Sequence, residues 1–175
     1  MQHENLWAPW RLAYLKRLDA RRDAIPASES SDASSNFLAD YWMTPDLDIQ
    51  NHVILRDELG MILLNRYPYA NGHLLIALGE PQPNLLGYDI EKRAAFWQLV
   101  ETAMQLVMDV LKPNGANVGI NLGDAAGAGL PEHVHAHVVP RWSGDTNFMT
   151  TIGDVRVMPA SLEEMAEQYR KGLSG

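Results

Sequence analysis

Three histidines stand two apart in His133-Val134-His135-Ala136-His137, followed by Val138-Val139-Pro140-Arg141. Imidazole is both a nucleophile and a proton carrier near neutral pH, so a row of such rings is equipped for group transfer. In a strand, side chains alternate between faces. That pattern sets the three rings on one side and Val134, Ala136 and Val138 on the other, as a core face. In a helix the same residues would scatter, and valine favours the extended state. The alternation therefore predicts a strand over His133–Val139. Just upstream runs Asn121-Leu122-Gly123-Asp124-Ala125-Ala126-Gly127-Ala128-Gly129-Leu130-Pro131. Small residues such as Gly127 and Gly129 let a loop bring backbone N–H groups close to an anion. An anion cradle leading into an imidazole row points to chemistry on a phosphate. H-x-H pairs also bind zinc, but no carboxylate or thiol stands in matching register, so a metal site is the weaker reading.

The elements that must hold this row are read in order along the chain. Two apolar runs, His52–Arg56 and Gly60–Asn65, flank a short charged turn and signal a hairpin. Residues 66–72 are turn-like through Pro68 and Asn71-Gly72. His73–Leu78 is a third strand whose unbroken apolar character implies burial on both faces. Asp89 is placed to cap a long helix reaching about Lys112. Its stripe is Phe96, Val100, Ala103, Val107 and Leu111, with Met104 and Met108 as core filler. Pro113-Asn114-Gly115 stops it, and Ala116–Leu122 is a fourth strand. Ser161-Leu162-Glu163-Glu164 matches a capping box and opens a C-terminal helix to about Leu173. Near the start, Leu12, Leu15 and Leu18 fit one face of a short helix after Pro9, and residues 19–36 read as a polar linker. The order predicts an α+β fold with one five-stranded antiparallel sheet, a long helix and a C-terminal helix. Residues 1–50 read as an aromatic arm and linker, and 51–175 as the domain.

The bulk properties narrow the function classes. A chain of 175 residues suits one well-buried domain. A net charge of −8 argues against non-specific binding to nucleic acid or anionic membranes, which draws on basic surface, but leaves room for a small polyphosphate met by local donors. With no cysteine, disulfides and thiolate zinc sites are both impossible. No signal peptide or membrane-spanning apolar run is visible, so the expected compartment is the cytoplasm.

The segment H-V-H-A-H-V-V resembles the H-φ-H-φ-H-φ-φ signature of the histidine triad (HIT) family of nucleotidyl hydrolases and transferases. The likeness runs from about Asn51 to Trp142. Leu6-Trp7-Ala8-Pro9-Trp10-Arg11 and Arg141-Trp142-Ser143-Gly144-Asp145-Thr146-Asn147-Phe148 resemble bacterial members related to diadenosine tetraphosphate phosphorylases. The resemblance implies a HIT-like fold and a homodimer formed through the sheet or a helix, with the aromatic arm reaching across it. It implies that His135, the central histidine, attacks the α-phosphate of a nucleotide or dinucleoside polyphosphate to form a nucleotidyl-histidine. His137 would donate to a phosphate oxygen or the leaving group, and His133 would support the row. His73 would bond among the triad and the phosphates. Asn65 would hold the ribose hydroxyls beside apolar walls from Ile62, Leu63 and Leu64. Asn121 would contact the α-phosphate, with Gly127 and Gly129 in the anion cradle. Arg141 is a candidate for the polyphosphate tail, a surface salt bridge being the commoner fate. No cofactor is required by this chemistry, although Mg²⁺ can accompany the polyphosphate.

Two departures from the family pattern matter. Where many relatives carry a C-x-x-C zinc motif, this chain has Ser34, Ser35 and Leu38. Before the triad, many relatives carry a phosphate-binding hydroxyl and amide, whereas this chain reads Ala128-Gly129-Leu130-Pro131-Glu132. Only backbone N–H groups can donate there, and Pro131 has none. That favours water over a second inorganic phosphate as the acceptor. Cleavage of a diadenosine tetraphosphate-like substrate is thus the leading function. Adenosine phosphoramidate hydrolysis and a nucleotide-binding regulatory module are the alternatives.

Overall fold

The computed structural model describes residues 36–146 and 158–173. The expected aromatic arm, its short helix and the linker up to residue 35 lie outside them, as do Asn147 and Phe148. Helix α1 (Phe37–Met43) comes first, capped by Asn36, whose Oδ1 accepts the Ala39 N–H at 3.0 Å. Strands β1 (Val53–Arg56) and β2 (Gly60–Leu64) form the expected hairpin. Asp57 closes its turn by accepting the N–H groups of Leu59 and Gly60 at 2.8 and 2.7 Å. Strand β3 (Leu74–Leu78) follows, then helix α2 (Ile90–Leu111), β4 (Gly115–Ile120), β5 (Ala136–Arg141) and helix α3 (Leu162–Leu173). The five strands form one antiparallel sheet in the order β1-β2-β3-β5-β4. The α+β architecture read from the sequence is therefore the observed one.

Strand β3 lies mid-sheet and is buried on both faces, as its apolar run implies. Leu74, Ile76 and Leu78 enter the main core with Phe96, Val100 and Val107 of α2 and Met165 and Tyr169 of α3. Leu75 and Ala77 point the other way, into a second cluster with Met61, Leu63, Leu130 and Leu38 of α1. The sheet is thus covered by α2 and α3 on one face and partly by α1 on the other.

Both helix caps follow the sequence signals. Asp89 accepts the Lys92 N–H at 2.7 Å, and Ser161 and Glu164 exchange the two bonds of a capping box. Met108 departs from expectation: it is 42% exposed and fills no core. It follows Val107, and one residue turns a helix by about 100°, which carries its side chain off the buried stripe. Met104 packs against the core edge.

The compact unit carrying the sheet begins at Asn36, ahead of the boundary placed at Asn51. Leu38 anchors α1 by full burial. Arg56 of β1 donates to the carbonyls of Tyr41 and Trp42 at 2.8 and 3.0 Å, and to the Asp48 carboxylate. A guanidinium at a helix C-terminus satisfies carbonyls that have no partner within the helix and complements the helix dipole.

Candidate active site

The alternation through the histidine row holds, but strand β5 starts at Ala136 rather than His133. The reason lies in the preceding backbone bonds. The His133 N–H closes a turn on Leu130 O at 3.2 Å, and the Val134 N–H donates to Gln82 O at 2.7 Å. Neither can then join the ladder, whose pairing starts with Ala136 against Ile76 of β3 and Ile120 of β4. Val134, Ala136 and Val138 enter the main core, so the histidines fall on the opposite side. His137 stands in register with Leu75 and Gly119. Gly119 has open space where a side chain would lie, leaving room beside His137 at the sheet edge.

The ring nitrogens are fixed by their neighbours. His135 Nδ1 lies 2.8 Å from the carbonyl oxygen of His133. A carbonyl can only accept, so Nδ1 carries the proton and Nε2 keeps its lone pair. The same logic runs through a second pair. The Tyr69 N–H donates to His73 Nδ1 at 3.1 Å, with Asn65 Nδ2 at 3.3 Å beside it. His73 Nδ1 is therefore an acceptor and His73 Nε2 the donor, 2.9 Å from His137 Nδ1. His137 in turn carries its proton on Nε2. The His135 and His137 ring centroids are 5.1 Å apart. A bare lone pair and an N–H donor thus stand side by side.

Burial tunes the charges. It pushes the His135 pKa below the usual histidine value, against the upward pull of the His133 carbonyl. Burial, reinforced by the charge of protonated His135, brings His137 down to about 4. Both rings are accordingly neutral at pH 7, the form in which an imidazole nitrogen can act as a nucleophile. His133 is fully buried. Its Nε2 faces Leu78 O at 2.7 Å and its Nδ1 faces Asn36 Oδ1 at 3.0 Å. Its ring meets neither the lone pair nor the donor, and it is its backbone carbonyl that holds His135 Nδ1.

The remaining sequence candidates divide. Asn65 sits at the mouth of the His73 turn, its Oδ1 accepting the Tyr67 N–H at 2.9 Å. Asn121 follows the last β4–β5 pair, Ile120 with Ala136, and so flanks His135 across the ladder. Gly127 takes a left-handed φ of +83° at the end of a one-turn 3₁₀ helix, and Gly129 has open space around its Cα. Both lie on the exposed loop that returns to the row, and Leu130 buries into the second cluster to anchor it. Arg141 is not brought to the histidines. It ends β5 four residues past His137, about 13 Å along a strand. There it donates to Asp145 at 2.6 and 2.8 Å and to Asn117 at 2.7 Å. Of the expected walls, Ile62 and Leu64 face the main core and Leu63 alone lies on the histidine side.

Two residues at the site escaped the sequence reading. Tyr69, taken as part of a turn, stacks its ring on His137 with centroids 5.7 Å apart and 15° between planes. Asn36, taken as the end of a linker, reaches His133. Its signal was present: an Asn directly before Phe37 and Leu38 is an N-cap pattern. Among the described residues, no group of three or more His, Asp or Glu is arranged to hold a metal ion.

Comparison with known proteins gives the same outline. A family profile described as the HIT domain matches residues 46–144. AP-4-A phosphorylase of Mycobacterium tuberculosis is 37% identical over 164 residues, covering 93% of this chain and 80% of that protein. The asymmetrical bis(5'-nucleosyl)-tetraphosphatase of Schizosaccharomyces pombe is 28% identical over 97 residues, 55% of this chain and 53% of that one. Among solved structures, a zinc-bound histidine triad family protein from Mycobacterium smegmatis superposes with a TM-score of 0.63 at 25% identity, covering 80% of this chain and 96% of that one. The profile takes in the sheet, the long helix and every histidine of the row, and the M. tuberculosis relative extends the match to nearly the whole length. The chain belongs to the HIT family.

Proposed function

We propose that the protein splits dinucleoside polyphosphates of the diadenosine tetraphosphate type by nucleotidyl transfer through His135. The observation that carries this reading is the His135 Nδ1 bond to the His133 carbonyl, which leaves Nε2 as an uncapped lone pair beside the His137 N–H. His135 Nε2 attacks the α-phosphorus, an N–P bond forms, and the P–O bond to the rest of the polyphosphate breaks. His137 Nε2–H donates a hydrogen bond to the developing charge, a form of electrostatic stabilisation that strengthens in a dry site. Of the two loop glycines, Gly129 offers its backbone N–H to the α-phosphate, while Gly127 shapes the turn, its own N–H held by Asp124 O at 2.9 Å, and Asn121 flanks the phosphate. Asn65 holds the ribose, with Leu63 against the base. Mg²⁺ enters as counter-ion of the polyphosphate. A second copy of the chain pairs with it to make a homodimer, for which the β4 sheet edge, with Val118 41% exposed, is the favoured contact.

The acceptor that frees His135 is water or inorganic phosphate. The Ala128–Glu132 segment, which offers no side-chain hydroxyl or amide, favours water. The similarity to a protein named a phosphorylase favours phosphate. Product analysis with diadenosine tetraphosphate, with and without added phosphate, decides. Nucleoside monophosphate under both conditions means hydrolysis, and nucleoside diphosphate appearing only with phosphate means phosphorolysis. Intact substrate under both conditions would overturn the proposal.

A further inference from the structure

Pairing along β5 begins at Ala136, so the peptide unit joining His133 to Val134 stands outside the ladder. It is held at both ends all the same. Its N–H, on Val134, donates to Gln82 O at 2.7 Å, and its C=O, on His133, accepts from His135 Nδ1 at 2.8 Å. The peptide is trans, so the two groups point opposite ways from one rigid plane. A plane outside a ladder is free to rotate about the line between its Cα atoms, and rotation here would swing the carbonyl off the imidazole. The Gln82 carbonyl blocks that rotation. It also draws on the Val134 N–H, and polarisation along a chain of hydrogen bonds makes the His133 oxygen a stronger acceptor.

Gln82 O is itself fixed. Pro81 and Pro83 bracket the residue, and a residue before proline is biased towards extended backbone. The anchor is Tyr88, just ahead of α2. Its ring is buried in the main core, and its hydroxyl donates to Glu80 O at 2.5 Å, two residues from Gln82. Burial, with the Glu80 carboxylate nearby, pushes the Tyr88 pKa up to about 12, so the hydroxyl keeps the proton it donates. The Glu80 carboxylate also binds Lys92 in the first turn of α2 and accepts from Gln82 Nε2 at 3.1 Å. Both of those contacts lie at the surface and add little. The buried hydroxyl is the firm attachment.

We infer that Tyr88 is a positioning residue for the nucleophile: through the Glu80–Gln82 backbone and the His133–Val134 peptide, it keeps the His135 proton on Nδ1 and the lone pair on Nε2. This rests on His135 as nucleophile and deepens that reading by naming what sets its tautomer.

The test uses the full-length protein with Tyr88→Phe, which deletes the hydroxyl and keeps the ring. Nitrogen chemical shifts of the His135 ring, recorded at pH 7 without substrate, report where the proton sits. Wild type should show Nδ1 protonated and Nε2 bare, whereas in Tyr88→Phe the two shifts should move towards each other as the second tautomer becomes populated. With diadenosine tetraphosphate, kcat should fall by about 5-fold, the scale of one hydrogen bond, with KM little changed. Phe96→Leu, which loosens the same core but removes none of these bonds, should lower the melting temperature and leave the ring shifts and kcat alone. An unmoved His135 ring in Tyr88→Phe, or the same movement in Phe96→Leu, overturns the inference. Should Tyr88→Phe not fold, Pro83→Ala at its exposed position carries the test: freeing Gln82 should move the ring in the same direction, and an unmoved ring overturns the inference. Failure of wild type to cleave the substrate would sink the parent reading instead, since the ring shifts are read without turnover.

Discussion

His73 Nε2 and His137 Nδ1 meet at 2.9 Å as diagonal neighbours on one face of the sheet. The register makes this contact possible, since Leu75 pairs with His137 and His73 lies two residues before Leu75. Residues two apart share a face, so β3 delivers His73 to the same side as the triad across 64 residues of sequence.

That pair should make stability fall in acid. In the unfolded chain His137 gains a proton as pH drops through about 6.5. In the folded protein it does so only near 4, because burial and protonated His135 oppose the charge. Between these values the unfolded chain binds more protons, so the stabilisation is complete above about 6.5 and lost as pH falls towards 4. For His137 alone the span is worth at most about 3 kcal/mol, and His135 and His133, also lowered by burial, act in the same direction. Urea unfolding midpoints measured across this range should drop, and His137→Asn should flatten the slope. An unchanged midpoint across the window would contradict it.

Asn36 Oδ1 accepts the Ala39 N–H and stands 3.0 Å from His133 Nδ1, which carries a proton only when the ring is charged because the neutral ring commits its N–H to Leu78 O. Asn36→Ala should lose the cap at a cost of about 1 kcal/mol. Asn36→Asp keeps the cap and sets a carboxylate beside Nδ1, so His133 should titrate at higher pH than in wild type, read from its ring resonances by NMR. An unmoved titration would mean that the contact is not maintained in solution.

Gly79, at the end of β3, lies directly under the Trp42 indole, where an added Cβ would overlap the ring. Gly79→Ala should destabilise by about 1–3 kcal/mol, the usual range for overpacking. Combining it with Trp42→Ala should cost less than the two changes summed, because removing the indole removes the clash. Additive losses in thermal unfolding would place Trp42 elsewhere.

Much of this was legible in the sequence. Period-two alternation gave the faces of the histidine row, since burying Val134, Ala136 and Val138 forces the imidazoles to the other side. The Asp89 and Ser161 caps and the doubly buried β3 followed from local chemistry in the same way. Contacts between distant segments did not follow. Nothing near Tyr69 shows that its ring will cover His137, and nothing near Asn36 shows a partner 97 residues away. The strand start was misplaced because Val134 bonds to Gln82 O, a loop carbonyl that no periodicity reveals. Arg141 looked available until the fold set Asp145 and Asn117 around it.

The central claim is a bond between phosphorus and His135 Nε2. Protein mixed briefly with diadenosine tetraphosphate, quenched in alkali to preserve the N–P bond and digested, can be weighed peptide by peptide. The expected result is one adenylyl group on the peptide bearing His135, absent when His135→Ala is treated in the same way. Rapid cleavage with no such adduct, or undiminished cleavage by His135→Ala, would contradict it.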